Sequence, residues 1–216
     1  MRNRHKSTKV GTDGPHGTGS RCCAAGRRGL LLLLTLLGAV TATAQAQSVT
    51  VLTSGEDARH CSLAARLNGA LVPSPGELAY CDRAIDGLSL NRRDRAGTLV
   101  NRGILLTAAG RFQQALDDYN EALQLLPELP QAFNGKGNLY FLAERYDEAL
   151  AAYRRALELD LQERHIAFYN LGLTYDQLQD AGAARRSYEQ AMEAAPDWPL
   201  PREKLAARGE SVATPR

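Results

Sequence analysis

From residue 96 to residue 194 the chain alternates between apolar and polar positions with the period of a helix, not of a strand. Six amphipathic windows follow one another: Ala96–Ala109, Arg111–Leu125, Gln131–Ala143, Tyr146–Leu159, His165–Leu178 and Ala181–Ala194. Short polar breaks separate them, so they read as three antiparallel helix pairs. Gly110 falls where the first pair needs a C-cap. Upstream, Glu56–Leu71 reads as a helix capped by Ser54, with Cys61, Ala64, Ala65 and Leu67 near one face. Pro73-Ser74-Pro75-Gly76 marks a turn, and Glu77–Leu88 follows with Leu78, Cys81, Ile85 and Leu88 at helical spacing. Ser89–Arg95 reads as a polar connection. Downstream, Pro199–Arg208 reads as a short capping helix, with Trp198 covering the end of the array and a frayed polar tail to Arg216.

The six windows repeat. Gly103, Gly137 and Gly172 are spaced by 34 and 35 residues, and so are Ala115, Ala149 and Ala184. Ala122, Ala156 and Ala191 keep the same step, as do the aromatics Tyr119, Tyr153 and Tyr188. A fixed period of this length means stacked supersecondary units, each too small to bury its own apolar face. Glycine in one helix and two alanines in its partner let the pair approach closely; a larger side chain would overpack the contact.

At these offsets the chain resembles the tetratricopeptide-repeat family. The first repeat supplies Leu99, Gly103, Leu106, Ala115, Tyr119, Ala122 and Pro127. The second supplies Phe133, Gly137, Tyr140, Ala149, Tyr153 and Ala156, and the third supplies Phe168, Leu171, Gly172, Tyr175, Ala184, Tyr188, Ala191 and Pro196. Arg102 and Lys136 depart from the pattern at a leucine slot, and Leu161 stands where the second repeat should have proline. The resemblance implies an all-α fold, an α-solenoid of antiparallel helix pairs. Repeats are expected over 96–129, 130–164 and 165–198, with 47–95 as an N-terminal hairpin and 199–216 as cap and tail. Placing Ala84 on the last alanine slot makes that hairpin a worn repeat, with Cys61 at the bulky slot, Ala65 at the glycine slot and Cys81 at the aromatic slot.

Composition is globular, with 44% hydrophobic and 23% charged residues. The net charge of +2 is unevenly placed: residues 1–28 hold seven basic side chains against Asp13 alone. The uncharged run Leu30–Val40 lies behind Arg27-Arg28 and before Ala44-Gln45-Ala46, which is the arrangement of a secretory signal over residues 1–46. The run is too short to span a bilayer, which takes about 20 residues, so no membrane insertion is expected after cleavage. Cleavage after Ala44 fits as well as cleavage after Ala46. The long basic lead leaves open a start downstream of Met1 or a partial twin-arginine signal. The remaining chain carries 19 basic and 23 acidic residues, a charge of −4 that gives no footprint for nucleic acid. The expected location is the periplasm.

Export changes how the cysteines read. Only Cys61 and Cys81 lie beyond the signal, and in an oxidising compartment such a pair is a disulfide candidate. Both lie at similar distances from the turn between their helices. A loop of about 20 residues closed this way stabilises a fold by roughly 3 kcal/mol. The alternative is a redox or haem-handling accessory role; against it, the chain has no C-x-x-C and no C-x-x-C-H.

No catalytic constellation is visible: no nucleophile elbow, no phosphate-cradling glycine loop, no H-E-x-x-H. No enzyme, cofactor or metal is therefore expected. Asp117-Asp118, Arg154-Arg155 and Arg185-Arg186 read as solvated faces. By resemblance, the concave surface is lined by first-helix residues: Val100, Asn101, Ile104 and Thr107, then Gln131, Asn134, Asn138 and Phe141, then Tyr169, Asn170, Leu173 and Asp176. An asparagine amide both donates and accepts, so Asn101, Asn134, Asn138 and Asn170 suit the backbone of an extended peptide. Ile104, Phe141, Tyr169 and Leu173 suit apolar anchorage. Capture of a terminal carboxylate would need Lys or Arg, where Val100 and Asn170 stand. The expected function is a periplasmic adaptor binding a peptide or partner subunit.

Overall fold

The computed structural model describes residues 55–68, 72–87 and 90–209. Among them are nine helices: α1 (Glu56–Asn68), α2 (Pro75–Asp86), α3 (Arg92–Ala108), α4 (Phe112–Leu125), α5 (Pro130–Leu142), α6 (Tyr146–Glu158), α7 (Arg164–Gln177), α8 (Ala181–Ala194) and α9 (Leu200–Ala207). The expected signal segment, the Ser54 cap and the tail beyond Gly209 lie outside the described residues.

The helices pack as successive pairs, α1 with α2 through α7 with α8, and α9 closes on α8. The first members also touch one another, α1 on α3, α3 on α5 and α5 on α7. They form the inner layer of an all-α solenoid, and the second members form the outer one. The periodic residues make the contacts that their spacing predicts. A Cβ on Gly137 would lie 2.4 Å from the Tyr153 ring, and one on Gly172 would lie 2.5 Å from Tyr188. Tyr119 is gripped twice: a Cβ on Gly103 would come within 2.7 Å of it, and one on Gly135 within 2.6 Å. All three tyrosines and Ala115, Ala149 and Ala184 are buried. Gly135, not singled out by the repeat spacing, thus seats the second pair on the first.

Several boundaries move, each for a local reason. α2 starts at Pro75, not Glu77, because Ser74 forms a capping box with Glu77. α3 starts at Arg92, inside the expected polar connection. There the Asn91 side chain accepts from Asp94 N at 2.9 Å, and Arg95 donates to the Ile85 carbonyl at 2.7 Å. Gly110 does end the first pair's inner helix, at φ +72°. Glu144 and Gln179 hold the corresponding left-handed position at φ 59° and 61°. Leu161, in the proline slot, is buried with Ala156 and Ala167 at the joint between repeats two and three. Trp198 stacks edge-on against Tyr169 at 5.0 Å and His165 at 5.1 Å. With Leu205 it closes the end of the array.

The N-terminal hairpin is stapled. Cys61 and Cys81 form a disulfide with Cα atoms 4.9 Å apart, and both residues are 0% exposed. With no sulfur at the surface, thiol exchange requires the hairpin to open.

Candidate partner-binding face

A helix turns about 100° per residue, which fixes what each side of a first helix can reach. On α3, Arg102 points outward. Its guanidinium holds Asp118 of α4 through two bonds of 2.7 and 2.8 Å and reaches Asp82 of α2 at 2.8 Å. Asp118 is therefore buried and paired, a correction to the solvated reading of Asp117-Asp118. Burial pushes its carboxyl up, against the pull of Arg102. Asp118 pushes the Arg102 guanidinium up in turn. A cleft of about 260 Å³ beside this pair is lined by Leu78, Leu106 and Gln114, with two arginines, Arg102 and Arg111, against three aspartates, Asp82, Asp117 and Asp118. On α5 the matching residue, Lys136, reaches Asn120 of α4 at 3.0 Å, and burial lowers its pKa. So both departures from the leucine slot are absorbed by polar partners on second helices. Arg155 pairs with Glu158 and Arg185 with Glu189, while Arg154 bonds Tyr175 Oη.

The opposite side of the same helices carries the amide row. Gln131, Asn134, Asn138 and Phe141 fall on one stripe of α5, on the side opposite Lys136. The structure brings the row together across helices, since Asn170 of α7 donates from Nδ2 to Asn138 Oδ1 at 2.9 Å. Asn138 Oδ1 also accepts from Tyr153 Oη at 2.8 Å. Asn138 is thus an organising residue whose acceptor is already used.

The other amides are not so supplied. Asn101 and Asn134 are 0% exposed, and in each both Oδ1 and Nδ2 lack a hydrogen-bond partner. Gln131 Oε1 and Asn170 Oδ1 lack one too. Among the described residues, six of the eight buried polar side-chain atoms without a partner belong to these four amides. A lone unpaired buried amide costs about 1–3 kcal/mol, and native folds rarely leave one without a reason. Four on a single face are a concentrated deficit.

Around them lie the apolar positions expected from the sequence. Val100, Ile104, Phe141, Tyr169 and Leu173 are all buried on the inner side. Tyr169 packs its ring 5.6 Å from Tyr188. Two expected members of the row are occupied elsewhere. Thr107 Oγ1 donates to the Gly103 carbonyl at 2.8 Å and lies 3.3 Å from Tyr119 Oη. Asp176 accepts from Tyr188 Oη at 2.6 Å and is held by Arg208. Sequence could name the amides but not say which were paired, because pairing depends on the distance between helices a repeat apart.

Comparison with known proteins agrees with this geometry. The family profile described as tetratricopeptide repeat matches residues 94–162 and, in an overlapping register, 128–197. Among solved structures, the first TPR of Spaghetti (RPAP3), bound to the HSP90 peptide SRMEEVD, is 20% identical with a TM-score of 0.50. The match covers 57% of this chain and 96% of that one. MamA is likewise 20% identical with a TM-score of 0.50, over 62% of this chain and 78% of its own. The repeat spacing, the glycine–tyrosine contacts, the profile match and the shared fold converge: residues 94–197 are a tetratricopeptide-repeat array.

Proposed function

We propose that this chain is an exported, non-catalytic adaptor that works in the periplasm by holding an extended segment of a partner protein against its inner face. The observation that carries the reading is the match of residues 94–197 to the tetratricopeptide-repeat profile, whose inner layer here holds the amides of Asn101, Gln131, Asn134 and Asn170. An extended backbone offers alternating N–H and C=O groups, and an asparagine or glutamine amide can answer both. A peptide-bound neighbour of the same fold supports the use of such a surface for peptides. The signal-like segment of residues 1–46 and the Cys61–Cys81 disulfide support an oxidising destination.

The test is placement of a photo-crosslinking side chain at Gln131, half-buried on the inner face, or at Arg186, which is exposed on α8, in the full chain expressed in cells. Adducts from position 131 and not from 186 are expected. Adducts from 186 alone would move the working surface to the second helices. Fractionation with N-terminal sequencing tests the export reading: a periplasmic product beginning at Gln45 or Gln47 is expected, and an uncleaved cytoplasmic product would overturn it.

A further inference from the structure

α3, α5 and α7 are each covered on one side by the first helix before them: α3 by α1, α5 by α3 and α7 by α5. α1 has no such predecessor among the described residues, and the side it leaves open is apolar. Ala58, Cys61, Ala64 and Ala65 are buried against the rest of the array. At about 100° per residue, Glu56, Arg59, Leu63, Arg66 and Leu67 share the opposite arc of the helix, and all five are exposed. Leu63 is 52% exposed, and Leu67, expected on the packed side with Cys61, is 68% exposed. The other end of the array is finished differently. There α9 buries Leu205 near Trp198 and turns Glu203, Ala206 and Ala207 to solvent. Terminal units of a stacked array need a polar outer face to stay soluble. The leucine ridge of α1 breaks that rule at one end only.

Charge narrows the occupant. Among the described residues neither Arg59 nor Arg66 has an ion-pair partner, and the neighbouring carboxylate, Asp57, is taken by Arg83 of α2 at 2.7 Å. Arg155 and Arg185, by contrast, are held by Glu158 and Glu189 of their own helices. We infer that the free face of α1 docks an acidic amphipathic helix of a partner protein, with apolar side chains against Leu63 and Leu67 and carboxylates meeting Arg59 and Arg66. Leucines four residues apart form a ridge, and a second helix receives such a ridge in its groove at about 8–10 Å between axes. From Glu56 to Leu67 the stripe is about 16 Å long, which matches about three turns of a partner helix. Gln47–Ser54, the stretch just ahead of α1, carries no charge and cannot answer the arginines. The α9 end of a second copy offers Lys204 beside Glu203 and no large exposed apolar side chain. A bilayer is the poorer fit, since two leucines bury little apolar area and binding of surface helices scales with that area. The stripe lies at the end of the array and uses none of the inner row, so the inference is independent of the inner-face reading.

The test titrates two acetylated and amidated peptides into the protein purified with its disulfide intact. Each has about eighteen residues, long enough to form a helix, with leucines four apart on one face. One carries glutamates beside the leucines and the other carries lysines. The glutamate peptide is expected to bind at least about tenfold more tightly than the lysine peptide, and to weaken at least about threefold between low and high salt. Leu63→Ser with Leu67→Ser should weaken it at least about tenfold. Arg59→Glu with Arg66→Glu should reverse the preference between the two peptides. All four side chains are exposed, so melting should barely change in either variant; should the leucine pair unfold the protein, the charge reversal still decides. Equal binding of the two peptides, or binding of neither, overturns the inference. Two further measurements cover the other occupants. Self-association in sedimentation that the leucine pair abolishes would assign the face to a second copy. Binding to phosphatidylglycerol vesicles that the same pair abolishes, with no competition from the glutamate peptide, would assign it to a membrane. Either result overturns the inference. Crosslinking from position 131 reads the inner face alone, so the two readings fail separately.

Discussion

The two sides of the first helices α3 and α5 treat their polar residues in different ways. Outward, every departure from an apolar pattern is matched: Arg102 by Asp118 and Asp82, Lys136 by Asn120. Inward, Asn101 and Asn134 are buried with both amide atoms unpaired, whereas Asn138 is bonded by Tyr153 and Asn170. The outer contacts are glycine against tyrosine, with no room left over. The lesson is that stability and recognition are separated by helix face within single helices. The outer side is finished within the chain. The inner side leaves buried amide atoms unpaired within the chain.

The largest effect should come from breaking the finished side. In Gly137→Leu a side chain must enter space where even a Cβ would sit 2.4 Å from the Tyr153 ring. Tyr153 is buried and cannot swing away. Overpacking of this kind costs about 3 kcal/mol or more, which for a domain of this size lowers the melting temperature by roughly 6–12 °C. A melt matching that of the parent protein would show the helix-pair contact to be misassigned.

Next comes the charged joint. Arg102→Ala leaves Asp118 buried without its guanidinium. Losing one partner of a buried pair costs about 3–5 kcal/mol, less here because Asp82 and part of Arg102 are exposed, so about 2–3 kcal/mol is expected. Arg102→Leu combined with Asp118→Ala returns both positions to what repeat three and repeat two carry, Leu171 and Ala152. That double change should recover most of the loss in urea unfolding. If it is no better than Arg102→Ala alone, the pair is not the source of the cost.

This joint also shows how much was legible beforehand. The helix pairs and the register of the repeats follow from fixed offsets, because a glycine or alanine that recurs with one period has one packing explanation, and the stapled hairpin follows from two cysteines set at similar distances from one turn. What escaped was anything decided between elements. Asp118 reads as half of an exposed acidic pair until Arg102 is seen opposite. Yet a trace was present: repeat one alone has arginine at the leucine slot and aspartate 16 residues on, where repeats two and three carry Ala152 and Ser187. The start of α3 was hidden because Asn91 caps a stretch so rich in arginine that it resembles a loop. The split of the asparagines into paired and unpaired had no trace, since it is set by a few ångströms of helix spacing.

That split yields a sharper test of the comparison. Asn138→Ala removes an acceptor and strands Tyr153 Oη and Asn170 Nδ2, both buried. A loss of about 2 kcal/mol is expected. Asn134→Ala lies one turn away on the same stripe and strands nothing, since neither of its amide atoms has a partner. It should leave stability unchanged or raise it slightly, while weakening partner binding. Equal destabilisation by the two would mean that Asn134 is paired within the fold, and the contrast between the faces would fail.

The smallest effect concerns neither face but the turn that joins them. Gly110, Glu144 and Gln179 occupy equivalent left-handed positions at the ends of α3, α5 and α7. In each, the next residue donates its N–H back across the turn: Arg111 to the Leu106 carbonyl at 2.9 Å, Arg145 to Tyr140 at 2.8 Å, Asp180 to Tyr175 at 3.0 Å. The backbone geometry is shared, so only the side chain differs. An L side chain in this region costs about 1 kcal/mol, whereas glycine loses roughly 0.5 kcal/mol more backbone entropy on folding. Glu144 is exposed, so removing its side chain sacrifices no packing. Glu144→Gly should therefore stabilise by about 0.5 kcal/mol. Gly110→Ala should destabilise by a similar amount, because a Cβ there meets nothing within 4 Å and the cost is backbone strain alone. Matched chemical unfolding of the two variants checks both signs. A destabilising Glu144→Gly would mean that the second repeat's turn is held by a contact of that side chain and not by the backbone bond from Arg145.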